Sequence, residues 1–172
     1  MVTDADAVAV VTPVDQRSVW EDNRIVTYTR LKVEETVAGQ TSAGTEVWVR
    51  TLGGAIGKIG QQVDGEAVFV HGKSSLVFAR LRSPGTFVVV ARAQGQFPVL
   101  VDAQTKRKSV MKNANCGVLL PRVQQTTSTV GPVAPQARNT GMTAIVAVDA
   151  LHGRMLEDVT RDIAAQWKRL HK

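Results

Sequence analysis

Apolar and polar residues alternate over much of the first 110 positions. Between Arg24 and Glu34, Ile25, Thr27, Thr29, Leu31 and Val33 fall on one face, and Val26, Tyr28, Arg30, Lys32 and Glu34 on the other. β-Branched residues at period two fit a pleated, half-buried strand and are weak helix formers. Val8 and Val10, among Ala7, Ala9 and Val11, predict a short opening strand ended by Thr12-Pro13. The stretch from Gly39 to Gly44 is rich in turn residues, and Glu46 to Arg50 resumes the strand pattern. Those two strands are expected to form a hairpin with a loop of about six residues.

Glycines 53, 54, 57, 60 and 65 follow, then four further apolar runs: Ala67–Val70, Ser75–Leu81, Thr86–Ala91 and Phe97–Val101. Ser83-Pro84-Gly85 marks a tight turn, and the continuous apolar run after it predicts a largely buried strand. About seven or eight short strands with glycine turns are the signature of an antiparallel β-barrel or sandwich. After Leu120 the composition shifts to Gln, Thr, Ser, Pro and Gly. The period then becomes helical, with Leu151, Met155, Leu156, Val159, Ile163, Trp167 and Leu170 at three- and four-residue steps. Asp149 is the expected N-cap, Gly153 weakens the first turn, and Lys168, Arg169 and Lys172 suit the helix C-terminus. The expected organisation is a β domain over 1–120, a connecting segment with room for a short strand over 121–148, and an amphipathic helix over 149–172 packed on the β domain. The alternative use of that helix is to bind a partner through Trp167.

Composition narrows the class. The 172 residues are 44% apolar and 21% charged, which excludes wholesale disorder. A single cysteine excludes an internal disulfide framework. No apolar run approaches a membrane span. The net charge of +6 is unevenly placed: residues 1–22 carry −4 and residues 51–110 carry +5. Only Lys106-Arg107-Lys108, with Lys112 nearby, forms a dense cluster, and such a cluster is a candidate for an acidic partner or simply a solvated turn. With Lys58 in the glycine-rich loop, these four residues make the candidate partner-binding surface.

The candidate chemistry is sparse. Gly57-Lys58 is not a phosphate loop, because Leu52 stands where glycine is required and Ile59 where Ser or Thr is required. Cys116 could serve a hydrolase as a nucleophile, but none of His71, His152 and His171 is placed beside it by sequence, and a free cysteine is most often a small buried thiol. Lys73 beside Ser74 and Ser75 fits a turn better than a Ser–Lys dyad. No ligand spacing calls for a metal, and no motif calls for a cofactor. A small barrel could bind single-stranded nucleic acid through aromatic residues interleaved with basic ones, and Trp48 with Arg50 and Tyr28 with Arg30 offer that pattern on the polar strand faces.

Four phrases then stand out: Val33-Glu34-Glu35 leading to Gly39, Val47-Trp48-Val49-Arg50-Thr51-Leu52-Gly53-Gly54, Gly60-Gln61-Gln62-Val63-Asp64-Gly65-Glu66, and Ala93-Gln94-Gly95-Gln96-Phe97. In this order the chain, over residues 5–102, resembles a loose set of exported bacterial β-rich proteins of unknown function. The resemblance implies a β-rich architecture and export, with no catalytic or ligand residues to carry over. Met1-Val2-Thr3-Asp4 has no basic leader and no apolar core. Export therefore requires a removed leader, and a cytoplasmic location is the alternative. The expected function is a non-enzymatic binding module for a protein or a cell-envelope component.

Overall fold

The structure, a computed structural model, describes residues 1–116 and 147–171. Strands β1 (Ala7–Glu21) and β2 (Arg24–Gly39) form a long antiparallel hairpin. Its two-residue turn is Asp22-Asn23, with φ of 46° and 59°. Asp and Asn are the non-glycine residues that best tolerate this left-handed conformation, and a turn with positive φ at both positions matches the twist of its strands. Strand β3 (Glu46–Leu52) pairs antiparallel with β2 across a loop over residues 40–45. A small hairpin follows, β4 (Gly54–Ile56) and β5 (Ile59–Gln61). Then come β6 (Ser75–Ser83), β7 (Thr86–Val89), β8 (Gln96–Val101) and β9 (Lys108–Val110).

The strand order β1-β2-β3-β7-β6 closes on itself, because β6 pairs antiparallel with β1. The closed sheet is a five-stranded barrel. Its one parallel pair is β3 with β7, the exception to an otherwise antiparallel pattern. Strands β8 and β9 continue outward from β6. Of the expected barrel or sandwich, the barrel is the architecture, and the expected C-terminal helix is present.

Two apolar cores share the walls of this barrel. Ala7, Ala9, Val11, Leu31, Val33, Val49, Val77, Ala79 and Phe87 fill its interior. Val8, Val10, Leu76, Phe78, Phe97 and Val110 point the other way and meet the helical segment. The first halves of β1 and β6 are thus buried on both faces, which is why they read as continuous apolar runs instead of alternating ones. Strand β7, expected to be largely buried, alternates: Phe87 and Val89 are buried, Thr86 and Val88 half-buried.

Helices α1 (Ala147–Leu151) and α2 (Leu156–Leu170) cover the second core with Val148, Leu156, Val159 and Ile163. Gly153, at φ 78°, separates them. Asp149 lies within α1 and bonds Lys112 Nζ at 3.0 Å, so it is not the N-cap of the long helix; Met155 holds that place without a side-chain cap bond. Trp167 packs against the second core and stacks on His171, with ring centroids 4.0 Å apart. The connecting segment expected over 121–148 lies outside the described residues, except for its last two positions in α1. Among the described residues no helix is long and apolar enough to cross a membrane.

Two expected strand limits are corrected. Strand β1 does not end at Pro13 but continues to Glu21. Its pairing with β6 stops at Val11, so the absent N–H of Pro13 interrupts no ladder on that side, and the register slips between Pro13 and Asp15. Ala67–Val70 joins no strand ladder. Its partner is a side chain. Gln96, 1% exposed, accepts from Val68 N at 3.0 Å and from Asn113 Nδ2 at 2.7 Å, and donates to Val68 O at 2.8 Å. A single amide thereby does the work of a neighbouring peptide and pins Phe69 into the barrel.

Each core sets an expectation. Ile163→Ala should lower the unfolding free energy by about 2–4 kcal/mol in urea titrations, whereas Leu170→Ala, on the exposed end of α2, should stay within about 0.5 kcal/mol. Gln96→Leu leaves Val68 N, Val68 O and Asn113 without their partner and should cost about 3 kcal/mol or more, at roughly 1–3 kcal/mol for each stranded group.

Candidate binding face

The outward residues of the barrel strands fall into rows across the sheet. Pairing sets Arg17 beside Tyr28, Tyr28 beside Arg50, Arg50 beside Val88 and Val88 beside Arg80. The next row runs Asp15, Arg30, Trp48, Thr86 and Ser83. With strands spaced about 4.8 Å apart, each row spans roughly 19 Å. Arg17 lies over two rings, with its guanidinium carbon 4.9 Å from the Trp48 centroid and 5.8 Å from that of Tyr28. Arg30 also approaches Trp48, with its guanidinium carbon 5.9 Å from the ring centroid. Each such contact stabilises by about 0.5–1 kcal/mol when exposed.

A clamp holds one side of this face. Arg50 donates from Nε and Nη2 to Glu21 Oε2 at 3.0 and 2.7 Å, and the Tyr28 hydroxyl donates to Glu21 Oε1. The Tyr28 hydrogen bond, then Arg50, holds the Glu21 carboxyl below its ordinary range. The same bond, reinforced by burial, raises the Tyr28 phenol. Arg30 is shared between Asp15 at 3.7 Å and Glu46 at 3.3 Å. Arg17, Arg80 and Arg82 have no ion pair among the described residues. The face therefore carries positive charge that its own carboxylates leave uncompensated, next to two aromatic rings.

The residues expected from the sequence to form one basic surface are spread apart. Lys58 occupies the β4–β5 turn, beside the start of β2, where Gln61 Oε1 accepts from Ile25 N at 2.6 Å. Lys106, Arg107 and Lys108 occupy the β8–β9 turn, which Asp102 organises by accepting from the backbone N–H groups of Gln104 and Thr105. That turn shares a groove of about 570 Å³ with Glu35, Glu157 and Asp158, so three carboxylates oppose its three cations. Glu35 and Ile25 are ten residues apart on β2, roughly 33 Å of extended chain. Lys112 is tied to Asp149 on α1. The structure thus gathers Lys106–Lys108 in one place, sets Lys58 at the other end of β2, and pairs Lys112 with the helical segment.

Cys116 is buried, donates to Ala93 O at 3.2 Å, and has its thiol pushed up by desolvation, the opposite of what an attacking thiolate needs. Among the described residues no group of three His, Cys, Asp or Glu could hold a metal ion. The glycine-rich segment builds the β4–β5 hairpin, where Gly53, Gly54 and Gly57 have positive φ. No protein-family model, curated protein or solved structure matches the chain.

Arg17 and Arg80 escaped the sequence reading, since strand pairing across distant parts of the chain creates their row. Trp48, Tyr28, Arg30 and Arg50 were readable as aromatic–basic alternation. The Glu21 clamp has a pH signature. A carboxyl depressed by folding stabilises above its unfolded value and loses that contribution as pH falls through the folded value. A raised phenol contributes below its unfolded value and loses it as pH rises through the folded one. Unfolding midpoints from about pH 3 to 11 should therefore fall at both ends, and Glu21→Gln should flatten the acid limb selectively relative to Glu34→Gln.

Proposed function

We propose that this chain is a non-enzymatic binding module, exported to the cell envelope, whose outer β1–β2–β3–β7–β6 face receives an acidic protein or envelope polymer. The observation that carries this reading is the row Arg17–Tyr28–Arg50–Val88–Arg80, in which Arg17 and Arg80, neither of them ion-paired among the described residues, stand at the two ends of a row that holds Tyr28 and the Glu21-bound Arg50 on the barrel wall. Sites built on paired strands hold their side chains in register better than sites on loops. Export rests on the resemblance to exported β-rich proteins. The basic turn at Lys106–Lys108 is the weaker candidate, because Glu35, Glu157 and Asp158 oppose it.

A second reading has its own observation. A three-stranded meander followed by a hairpin whose last strand runs parallel to β3 matches the connectivity of five-stranded Greek-key barrels of the oligonucleotide-binding type. Those barrels use the face of their second and third strands, where Tyr28, Arg30, Trp48 and Arg50 lie here. This is an analogy of fold. It makes single-stranded nucleic acid the alternative ligand.

Two probes separate the readings. Polygalacturonate, an acidic polymer without bases, should bind in a salt-dependent manner, and the double variant Arg17→Glu, Arg80→Glu should bind at least ten-fold more weakly. Equal binding by the variant would rule out this face. Fluorescein-labelled dT20 tests the alternative by anisotropy at low salt. Tighter binding than to polygalacturonate, with a loss of about ten-fold in Trp48→Ala, supports nucleic acid, and an unchanged anisotropy removes it.

A further inference from the structure

A second concavity lies at the mouth of the barrel, away from the arginine rows. It has a volume of about 450 Å³, within the usual range of roughly 300–1,000 Å³ for small-molecule sites. Its polar wall is made by Gln16, Ser18, Thr27 and Thr51, and its apolar wall includes Leu52, Val68 and Phe69. Among the described residues no Lys, Arg, Asp or Glu lines it. The charged outer face and this uncharged cleft therefore suit different ligands.

The polar wall is preorganised. Thr27, nine-tenths buried, donates to Gly53 O at 2.6 Å and bonds Ser18 Oγ at 2.9 Å. Gln16 Nε2 donates to Thr29 Oγ1 at 3.0 Å and to Phe69 O at 3.3 Å, while its Oε1 has no partner among the described residues. The glycine hairpin comes in close over these groups. A Cβ on Gly54 would sit 2.2 Å from Thr27 Oγ1 and 2.5 Å from Ser18 Oγ, and φ there is 134°. Only glycine allows this approach, so the cleft keeps its depth because that side chain is missing.

The lip of the cleft carries an aromatic ring. Gln16, Ser18 and Trp20 alternate along one face of β1, opposite Thr29, Thr27 and Ile25 of β2. Trp20 is two residues beyond Ser18, about 7 Å along the strand, and 53% exposed. Neither apolar core includes it among its packed residues. Exposed Val68 and Ile59 stand on the segments flanking the same mouth.

Neutral groups that both donate and accept, an apolar strip and an open indole are the complement of one ligand chemistry. A sugar ring presents hydroxyls of both kinds around its edge, apolar C–H faces above and below, and no charge. We infer that the barrel mouth is a binding site for an uncharged oligosaccharide, with Trp20 stacking on a ring and Gln16 and Ser18 bonding its hydroxyls. The inference rests on the reading of the chain as a binding module, but on none of the residues of its arginine face.

The test uses the full chain with maltohexaose, cellohexaose and chitohexaose, each up to 10 mM. In ¹⁵N–¹H spectra the Trp20 indole N–H, assigned by its loss in Trp20→Phe, and the Gln16 side-chain amide should shift with at least one of the three. Trp20→Ala and Gln16→Ala should each weaken that binding at least ten-fold. Trp20 is exposed, so the unfolding midpoint of Trp20→Ala should stay unchanged and its lost signal can be assigned to the cleft, whereas Gln16→Ala also strips Thr29 Oγ1 and Phe69 O of their donor and should lower the midpoint. Arg17→Glu with Arg80→Glu should leave sugar binding intact while losing polygalacturonate, which keeps the two sites distinguishable. No shift with any of the three sugars, or shifts confined to Trp48 and its neighbours, would overturn the inference.

Discussion

Five residue pairs decide the architecture. Ala7 to Val11 of β1 lie antiparallel to Ala79 to Ser75 of β6, and this pairing turns an open sheet into a barrel. The same two segments present alternate side chains to both cores: Ala7, Ala9, Val11, Val77 and Ala79 inward, Val8, Val10, Leu76 and Phe78 outward. Small residues on the inner side, alanine above all, fit the tight interior of a five-stranded barrel. Larger ones on the outer side reach the helix. Loss of this seam would expose both cores together, so barrel and helix are energetically one unit among the described residues.

The rigid wall created by that closure explains how two dissimilar surfaces coexist. On the outer face, cross-strand pairing spaces arginines and aromatic rings at the strand repeat, and Glu21 fixes Arg50 and Tyr28 while Arg17 is held only by ring contacts. At the barrel mouth, the glycine hairpin lies against hydroxyl groups, and among the described residues no charged side chain lines the cleft. Odd and even residues of β1 belong to different surfaces: Arg17 to the charged one, Gln16, Ser18 and Trp20 to the neutral one. A one-residue register slip would exchange them.

Much of the fold was legible in the chain. The alternation from Ile25 to Val33, the six-residue hairpin loop, the Pro84-Gly85 turn and the helical stripe through Val159 and Ile163 are local signals, and local pairing obeys them. Three features were not local. Pro13 reads as a strand end unless it is known that the neighbouring strand has already stopped. Ala67–Val70 reads as a strand because its side chains alternate in burial, yet it joins no ladder, and the N–H and C=O of Val68 go to the Gln96 side chain. Asp149 has the chemistry of a cap but is claimed by Lys112. For the candidate sites the same division holds. The aromatic–basic alternation of β2 and β3 could be read directly, whereas Arg80 joins that face only through β7, and Lys58 parts from Lys106–Lys108 only once the length of β2 separates them.

Two glycines of the phrases that stand out in the sequence mark places where backbone crowds backbone or side chain. Gly54 lies against Thr27 and Ser18, and Gly95 leaves no room for a Cβ beside Val90 O. Closure also has a kinetic side. Strands β1 and β2 meet across a two-residue turn, but β1 and β6 lie about 70 residues apart in sequence. Loop entropy makes the hairpin an early event and the seam a late one. During the interval, the valines of β1 and Leu76, Val77 and Phe78 of β6, in strand halves destined for burial on both faces, stand open to water. A chain with this topology is most prone to associate with its own copies while folding, and least so once the seam has formed.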